Sequence, residues 1–379
     1  MSGFRRAAVI VVCASLAMGG WAPALAVDGP PGISTPIVLP PFNPNAPTCS
    51  APSGLTPSLG FVQENDREFL EGVNKGLAMA AKDRGLPYTR VLASSDAARA
   101  AQEIQSYLAA KMGAVVATSS DPDAVHRDLQ ELIWSGAFVG TIGPPVGTLL
   151  LNAPQYLTGK TLADAAIVFI DSKLGGKANV VLLTQDNTKY LAPRFEAMRD
   201  ELDRLPGVSI VADIAPSTDT EQGGSDAMKL ILSTGLRVDV VLGADAVDIG
   251  ALRALRDAGK DRSDQFVGGI DGEPEAVSEI KQADSPYKAS IALASPVFGY
   301  AMGQYGADWL DGKSVPQAMD ILPIALTHDN IAQYEADLAD PARVWRDPVR
   351  RATYLRMYGN ICYDTRDQYV DFPWSSEAR

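Results

Sequence analysis

The sequence predicts an α/β protein of two three-layer α/β/α lobes, each a parallel sheet covered by helices on both faces. Three observations carry this. Apolar runs of strand length alternate with helix-length periodic segments along most of the chain. The alternation comes as two successive series. The chain has 379 residues, too many for one ordinary domain and suited to two.

The first series starts after a proline-dense leader, residues 27–56, whose prolines exclude helix and central strand and leave an extended path. SLGFV (58–62) precedes a helix near 67–84, TRVLA (89–93) precedes AARAAQEIQSYLAAK, and AVVAT (114–118) precedes DAVHRDLQELIW. AFVGTI (137–142) closes the series, and TLLLN (148–152) leads into a long helix, LTGKTLADAAIVFIDSKLG. The second series has NVVLLTQ before a helix near 190–204, VSIVADI before one near 222–234, and DVVLGAD before VDIGALRALRDAGK. QFVGGI then precedes EPEAVSEIKQ, and ASIALAS precedes a helix near 297–312. AMDILPIAL (318–326) reads as a last strand, and the polar, aromatic segment beyond Thr327 as a tail that wraps the surface.

The N-terminus reads as an export signal. Arg5 and Arg6 precede the apolar stretch AAVIVVCASLAMGGW, and Ala24-Leu25-Ala26 offers a small-x-small cleavage site, so cleavage is expected after Ala26. An uncleaved anchor is the alternative, but the apolar core is short for it. Val12 before Cys13 does not suit lipid attachment. Two cysteines remain after cleavage, Cys49 and Cys362. In an oxidising compartment they are expected to pair, two buried thiols being the alternative.

Formal net charge is −13, and loss of Arg5 and Arg6 with the signal takes it to about −15. Such an acidic chain argues against nucleic acid as a partner, because phosphate contacts need clustered Lys and Arg. The two histidines, His126 and His328, have no Cys or His at metal-ligand spacing. No G-x-S-x-G elbow and no G-x-x-x-x-G-K-[ST] loop occurs, and GFVQEN after the first strand lacks dinucleotide-binding glycines. The residues therefore indicate no catalytic set, no metal and no cofactor.

GADAVDIGALRALRDAGK (243–260) and VGGIDGEPEAVSEIK (267–281), at this spacing, resemble the type I periplasmic sugar-binding proteins of ABC importers, the ribose-binding group. The resemblance covers roughly residues 57–325. Lac-repressor-like regulators share that fold but begin with a DNA-binding helix-turn-helix, where this chain has its export signal. The resemblance implies two Rossmann-like lobes joined by three hinge crossings, near Asn152–Ala153, Leu293–Ala294 and Pro323. One lobe would be 57–153 plus 294–322 and the other 154–293 plus 323–330, with 331–379 as the tail. It implies a monomeric, non-catalytic periplasmic protein that closes on a small polar ligand, a sugar or polyol, and delivers it to an ABC permease. A sensing subunit for a chemoreceptor or sensor kinase, or a receptor for a non-sugar molecule, is the alternative.

Site residues follow from the same resemblance. Asp271 matches an acid that accepts hydrogen bonds from sugar hydroxyls, work that suits a carboxylate's two oxygens. A helix cap is its other reading. Asp245 matches the Asp of an Asn-Asp pair whose Asn position is Ala244 here; it can reach the pocket or the first helical N–H groups, while Asp248, inside the first turn, complements the helix dipole. In QENDREF, Asn65 and Arg67 are polar contacts, and Phe69 packs on the sugar or faces the core. In TQDNTKY, Asp186, Asn187 and Tyr190 are candidates, and Arg194 one turn further reads as structural. Two departures stand out. GTIGPPVG has no acceptor where many members have an acid, and the apolar IALAS run replaces a hinge glutamine.

Overall fold

The computed structural model of the chain describes residues 32–143 and 145–377, so the expected export signal and its cleavage point lie outside the described residues. Thirteen strands form two sheets. The first has the order Leu355–Tyr358, Ala318–Ile321, Leu149–Asn152, Phe138–Ile142, Met112–Thr118, Thr56–Gln63, Tyr88–Leu92. The second has the order Ile324–Leu326, Tyr287–Ala292, Phe266–Asp271, Val240–Leu242, Ala178–Leu183, Val208–Ile214. Pairing is parallel except at one edge of each sheet, where Leu355–Tyr358 and Ile324–Leu326 run antiparallel to their neighbours. In both sheets the first strand lies between the second and third. The carboxyl ends there form a topological switch point, where open α/β sheets bind ligands.

The strand and helix readings rest on burial. Met112–Thr118 is buried at all seven positions, as a central parallel strand covered on both faces must be. Helix Pro122–Ser135 buries Val125, Leu129, Leu132 and Ile133, one apolar stripe. Asp121 caps it by accepting the Ala124 N–H at 3.2 Å, and Gly136 ends it with φ 101°, a left-handed conformation that favours glycine. Helix Ser295–Leu310 is buried nearly all round, since the first sheet, helix Glu68–Asp83 and the C-terminal helices enclose it.

The chain passes between the sheets three times: after Asn152, after Ala292, and between Ile321 and Ile324. The run 318–326, expected as one strand, is therefore two strands in different sheets, because Leu322-Pro323 breaks the ladder between them.

The segment beyond residue 330, expected as a surface tail, is largely built into the first layer. Trp345, on helix Pro341–Arg346, packs its ring on Tyr305 at 5.2 Å. Leu355–Tyr358 extends the first sheet, and the leader lies along it through a bridge of Pro41 to Tyr358. That pairing covers an otherwise open sheet edge. Cys49 and Cys362 form the expected disulfide, with Cα atoms 6.2 Å apart, and join leader to extension. Among the described residues no helix is long and apolar enough to cross a membrane, and no group of three His, Cys, Asp or Glu is placed to hold a metal ion.

Candidate ligand-binding cleft

A cleft of about 1910 Å³ lies between the carboxyl ends of the two sheets. Arg67, Phe69, Ser119 and Ser120 line it from the first sheet's loops, and Tyr190, Arg194, Asp271 and Glu273 from the second's. The crossings add Leu151–Ala153, Gln155 and Leu293, and the C-terminal extension adds Pro373–Glu377. The lining holds seven carboxyl side chains against four cationic ones.

Asp271 is the last residue of its strand, and its backbone has φ 123°, a conformation that strains any residue but glycine. Its side chain is 46% exposed, but into the cleft, with protein on most other sides. Burial raises its carboxyl above the ordinary range, while Arg194 and Arg67 pull it back. Arg194 Nη1 lies 3.8 Å from Asp271 Oδ1, and Arg194 Nε donates to Gln155 Oε1. Arg194 is only 6% exposed. It comes this close to the first helix of the second lobe, Gln155–Lys173, because Gly159 leaves room: a Cβ there would stand 1.8 Å from the Arg194 carbonyl oxygen. The Gln155 amide nitrogen is buried near the Tyr190 hydroxyl without a well-formed hydrogen bond, which leaves a donor free at the cleft wall. Arg67 precedes helix Glu68–Asp83, and among the described residues its guanidinium makes no hydrogen bond or ion pair.

The structure separates the expected site residues. Arg67, Phe69, Tyr190 and Asp271 reach the cleft. Asn65 does not; its Oδ1 accepts the Arg67 N–H at 3.1 Å and shapes the turn that presents Arg67. Asp186 instead pairs with Arg199, which also holds Asp213, in an ion-pair cluster away from the cleft. Asn187 is exposed in the same loop and lines no part of the cleft.

Asp245, expected at the ligand, is enclosed instead. It is 0% exposed and accepts from Tyr287 Oη at 2.7 Å, from Ser290 Oγ and from the Glu273 N–H at 2.8 Å. The last bond fixes the turn after Asp271, so Asp245 acts on the cleft through its support. Gly269 makes room for it, since a Cβ there would meet Asp245 Oδ1 at 2.2 Å. Burial first, then repulsion from Asp271, raises the Asp245 carboxyl to about 7, against the lowering effect of its three hydrogen bonds. Asp248 is also 0% exposed, with its oxygens against Gly243 but no well-formed hydrogen bond. Burial and the neighbouring Asp245 raise its carboxyl well above the ordinary range.

Sequence reasoning missed Gln155 and the cleft role of Arg194. An Arg in the first turn after a strand-end loop was the available signal, but which way it faces depends on the Gly159 contact.

The model of the periplasmic binding protein domain matches residues 61–314. The chain belongs to the periplasmic binding protein family. It is 25% identical to the ribose import binding protein of Bacillus subtilis over 273 residues, 68% of this chain and 83% of that protein. It is also similar to the 5-methylthioribose transporter solute-binding protein of Thermotoga lettingae, solved with 5-methylthioribose: TM-score 0.59, 22% identity, 79% of this chain and 95% of that one. An ABC transporter solute-binding protein of Bacillus halodurans, solved with myo-inositol, has a TM-score of 0.60 at 17% identity, over 75% of this chain and 99% of that one. These findings bear out the resemblance to type I periplasmic sugar-binding proteins and the fold read from the alternation. The family model's match ends at residue 314, before the C-terminal extension begins.

Proposed function

We propose that this chain is the exported solute-binding component of an ABC importer, and that it closes two lobes on a neutral sugar or polyol and delivers it to a permease. The observation that carries the reading is the Asp271–Arg194–Gln155 set at the cleft. An acceptor, a cation and a free amide donor converge there at a strained strand end, and such strain clusters at ligand sites. Asp271 accepts from ligand hydroxyls, Arg194 holds and partly neutralises it, and Gln155 donates. Phe69 and Tyr190 offer apolar faces. The excess of carboxyl groups in the lining disfavours an anionic ligand.

The lobes are 57–153 with 294–322 and 154–293 with 323–330, and their hinges are the three crossings. The protein acts as a monomer, by binding without turnover, in the periplasm after cleavage at Ala26. The relatives support the sugar or polyol reading: one is a ribose import binding protein, and the solved neighbours hold 5-methylthioribose and myo-inositol.

Thermal denaturation against D-ribose, 5-methylthioribose, myo-inositol and other neutral sugars and polyols tests the reading. A true ligand at 100 times its Kd adds about 2.7 kcal/mol of stability. If no member shifts the transition at millimolar concentration, the reading fails.

A further inference from the structure

The C-terminal extension does more than cover the first layer. After Val370–Asp371 pairs with Val146–Gly147, the chain turns into the cleft, and Pro373–Glu377 form part of its wall. Trp374 packs on Tyr358 of the first sheet, ring centroids 5.0 Å apart, and lines the cleft. Ser376 Oγ accepts from Asn152 Nδ2 at 3.2 Å, at the first crossing. Glu377 then reaches the helix that opens the second lobe. Its carboxylate accepts the Tyr156 N–H at 3.1 Å and the Leu157 N–H at 2.7 Å. Pro154 at the N-cap of that helix has no side-chain bond to give, so Glu377 satisfies two otherwise free N–H groups from 220 residues away. One short segment is therefore anchored on the first sheet by Trp374 and on the second lobe's first helix by Glu377. Gln155, with its free amide, is the residue just before that capped pair.

We infer that Pro373–Glu377 is a specificity-determining wall of the ligand cleft, with Trp374 as its aromatic face and Glu377 as the positioning residue that holds it in place. This rests on the proposed binding role of the cleft. The Glu377 carboxylate also places negative charge at the helix end beside the ligand space, which further disfavours an anionic ligand. An aromatic face beside hydroxyl-binding groups fits a sugar ring or cyclic polyol, one side apolar and its rim polar.

The test compares the wild-type chain with Trp374→Ala, Trp374→Phe, Glu377→Gln and a chain ending at Phe372. D-Ribose, 5-methylthioribose and myo-inositol are the probes, with Kd read by calorimetry and unfolding followed without ligand. Trp374→Ala and the shortened chain should weaken the best probe tenfold or more and change the rank order of the three, while Trp374→Phe retains most of the affinity. Glu377→Gln should weaken it several-fold, with a small drop in the unliganded Tm. Wild-type Kd values and rank order in both Trp374→Ala and Glu377→Gln overturn the inference and leave the binding role standing. A wild-type chain that binds none of the three and no other neutral sugar or polyol overturns both. If the shortened chain does not fold, the two point variants decide.

Discussion

Asp271 and Asp245 are both acids at strand-helix junctions of the second sheet, yet one faces the cleft and the other is sealed behind it. A ligand hydroxyl bonded to Asp271 makes a charge-assisted bond, so Asp271→Ala should weaken binding by about 1.5–3 kcal/mol. The unliganded fold should lose little, because the side chain is not packed in the core. Calorimetry and thermal unfolding on the same variant separate this from a capping role, which would lower stability and spare affinity. Asp245 predicts a pH effect. Its folded value of about 7 lies above the ordinary 3.8, because burial penalises the charge. The folded state then holds its proton more tightly than the unfolded chain. Its contribution is full below 3.8 and is lost as pH rises towards 7, by at most about 1.4 kcal/mol per pH unit. Asp248 acts in the same direction. Unfolding free energy should therefore fall between pH 4.5 and 7.5, and the fall should be shallower in Asp245→Asn. Parallel curves for the two proteins would show that Asp245 does not titrate in this range. The same variant keeps one acceptor oxygen where the carboxylate has two, so it cannot serve the Glu273 N–H together with the Tyr287 and Ser290 hydroxyls, and affinity should drop several-fold through the turn.

At the scale of elements, the parallel strands and amphipathic helices were legible because burial on one or both faces writes a period into the sequence. Val125, Leu129 and Leu132 recur at helical spacing, and Met112–Thr118 is apolar or small throughout. The extension was not legible, because what orders it is non-local. Leu355–Tyr358 is too short to declare a strand until Ala318–Ile321 lies beside it, and Glu377 caps a helix that begins at residue 155. The site was half legible for a related reason. Asp271 and Arg67 follow from their places at strand and helix ends. The direction of Asp245 depends on Tyr287 and Ser290 from the next strand, and that of Arg194 on the space at Gly159. The Cys49–Cys362 bond, legible from cysteine count alone, joins two of these weakly patterned segments. Replacing both cysteines by serine should lower stability by roughly 2–5 kcal/mol in denaturant unfolding. The native fold should persist, since Cys49 N–H still donates to the Gly312 carbonyl at 2.7 Å and Ser50 N–H to Asp364 at 2.7 Å. An unchanged midpoint would mean that these bonds alone hold the leader to the extension.

For the whole molecule, the cleft's size sets the mechanism. Small-molecule pockets are roughly 300–1,000 Å³ and bury most of the ligand, whereas this cleft measures about 1910 Å³. A monosaccharide would leave most of it filled with water, where hydrogen bonds to Asp271 contribute least. The three crossings are short, and the pairing of Asn152 with Asp320 and of Ala292 with Ile324 keeps them side by side, the arrangement that hinge closure needs. In the proposed closure the first lobe's Arg67, without a partner among the described residues, moves towards Asp271 of the second, on which it already acts at a distance. That attraction alone does not hold the lobes shut, because water still screens the charges across the open cleft. A ligand that displaces the water and bonds both lobes adds the difference in free energy that shifts the population. The radius of gyration from small-angle X-ray scattering should therefore fall when a saturating ligand from the thermal screen is added. Arg67→Gln should leave the unliganded scattering unchanged and raise the Kd, because its partner forms only on closure. Identical scattering with and without bound ligand would show that the lobes do not move, and the cleft would then have to recognise its ligand from one wall while open to water.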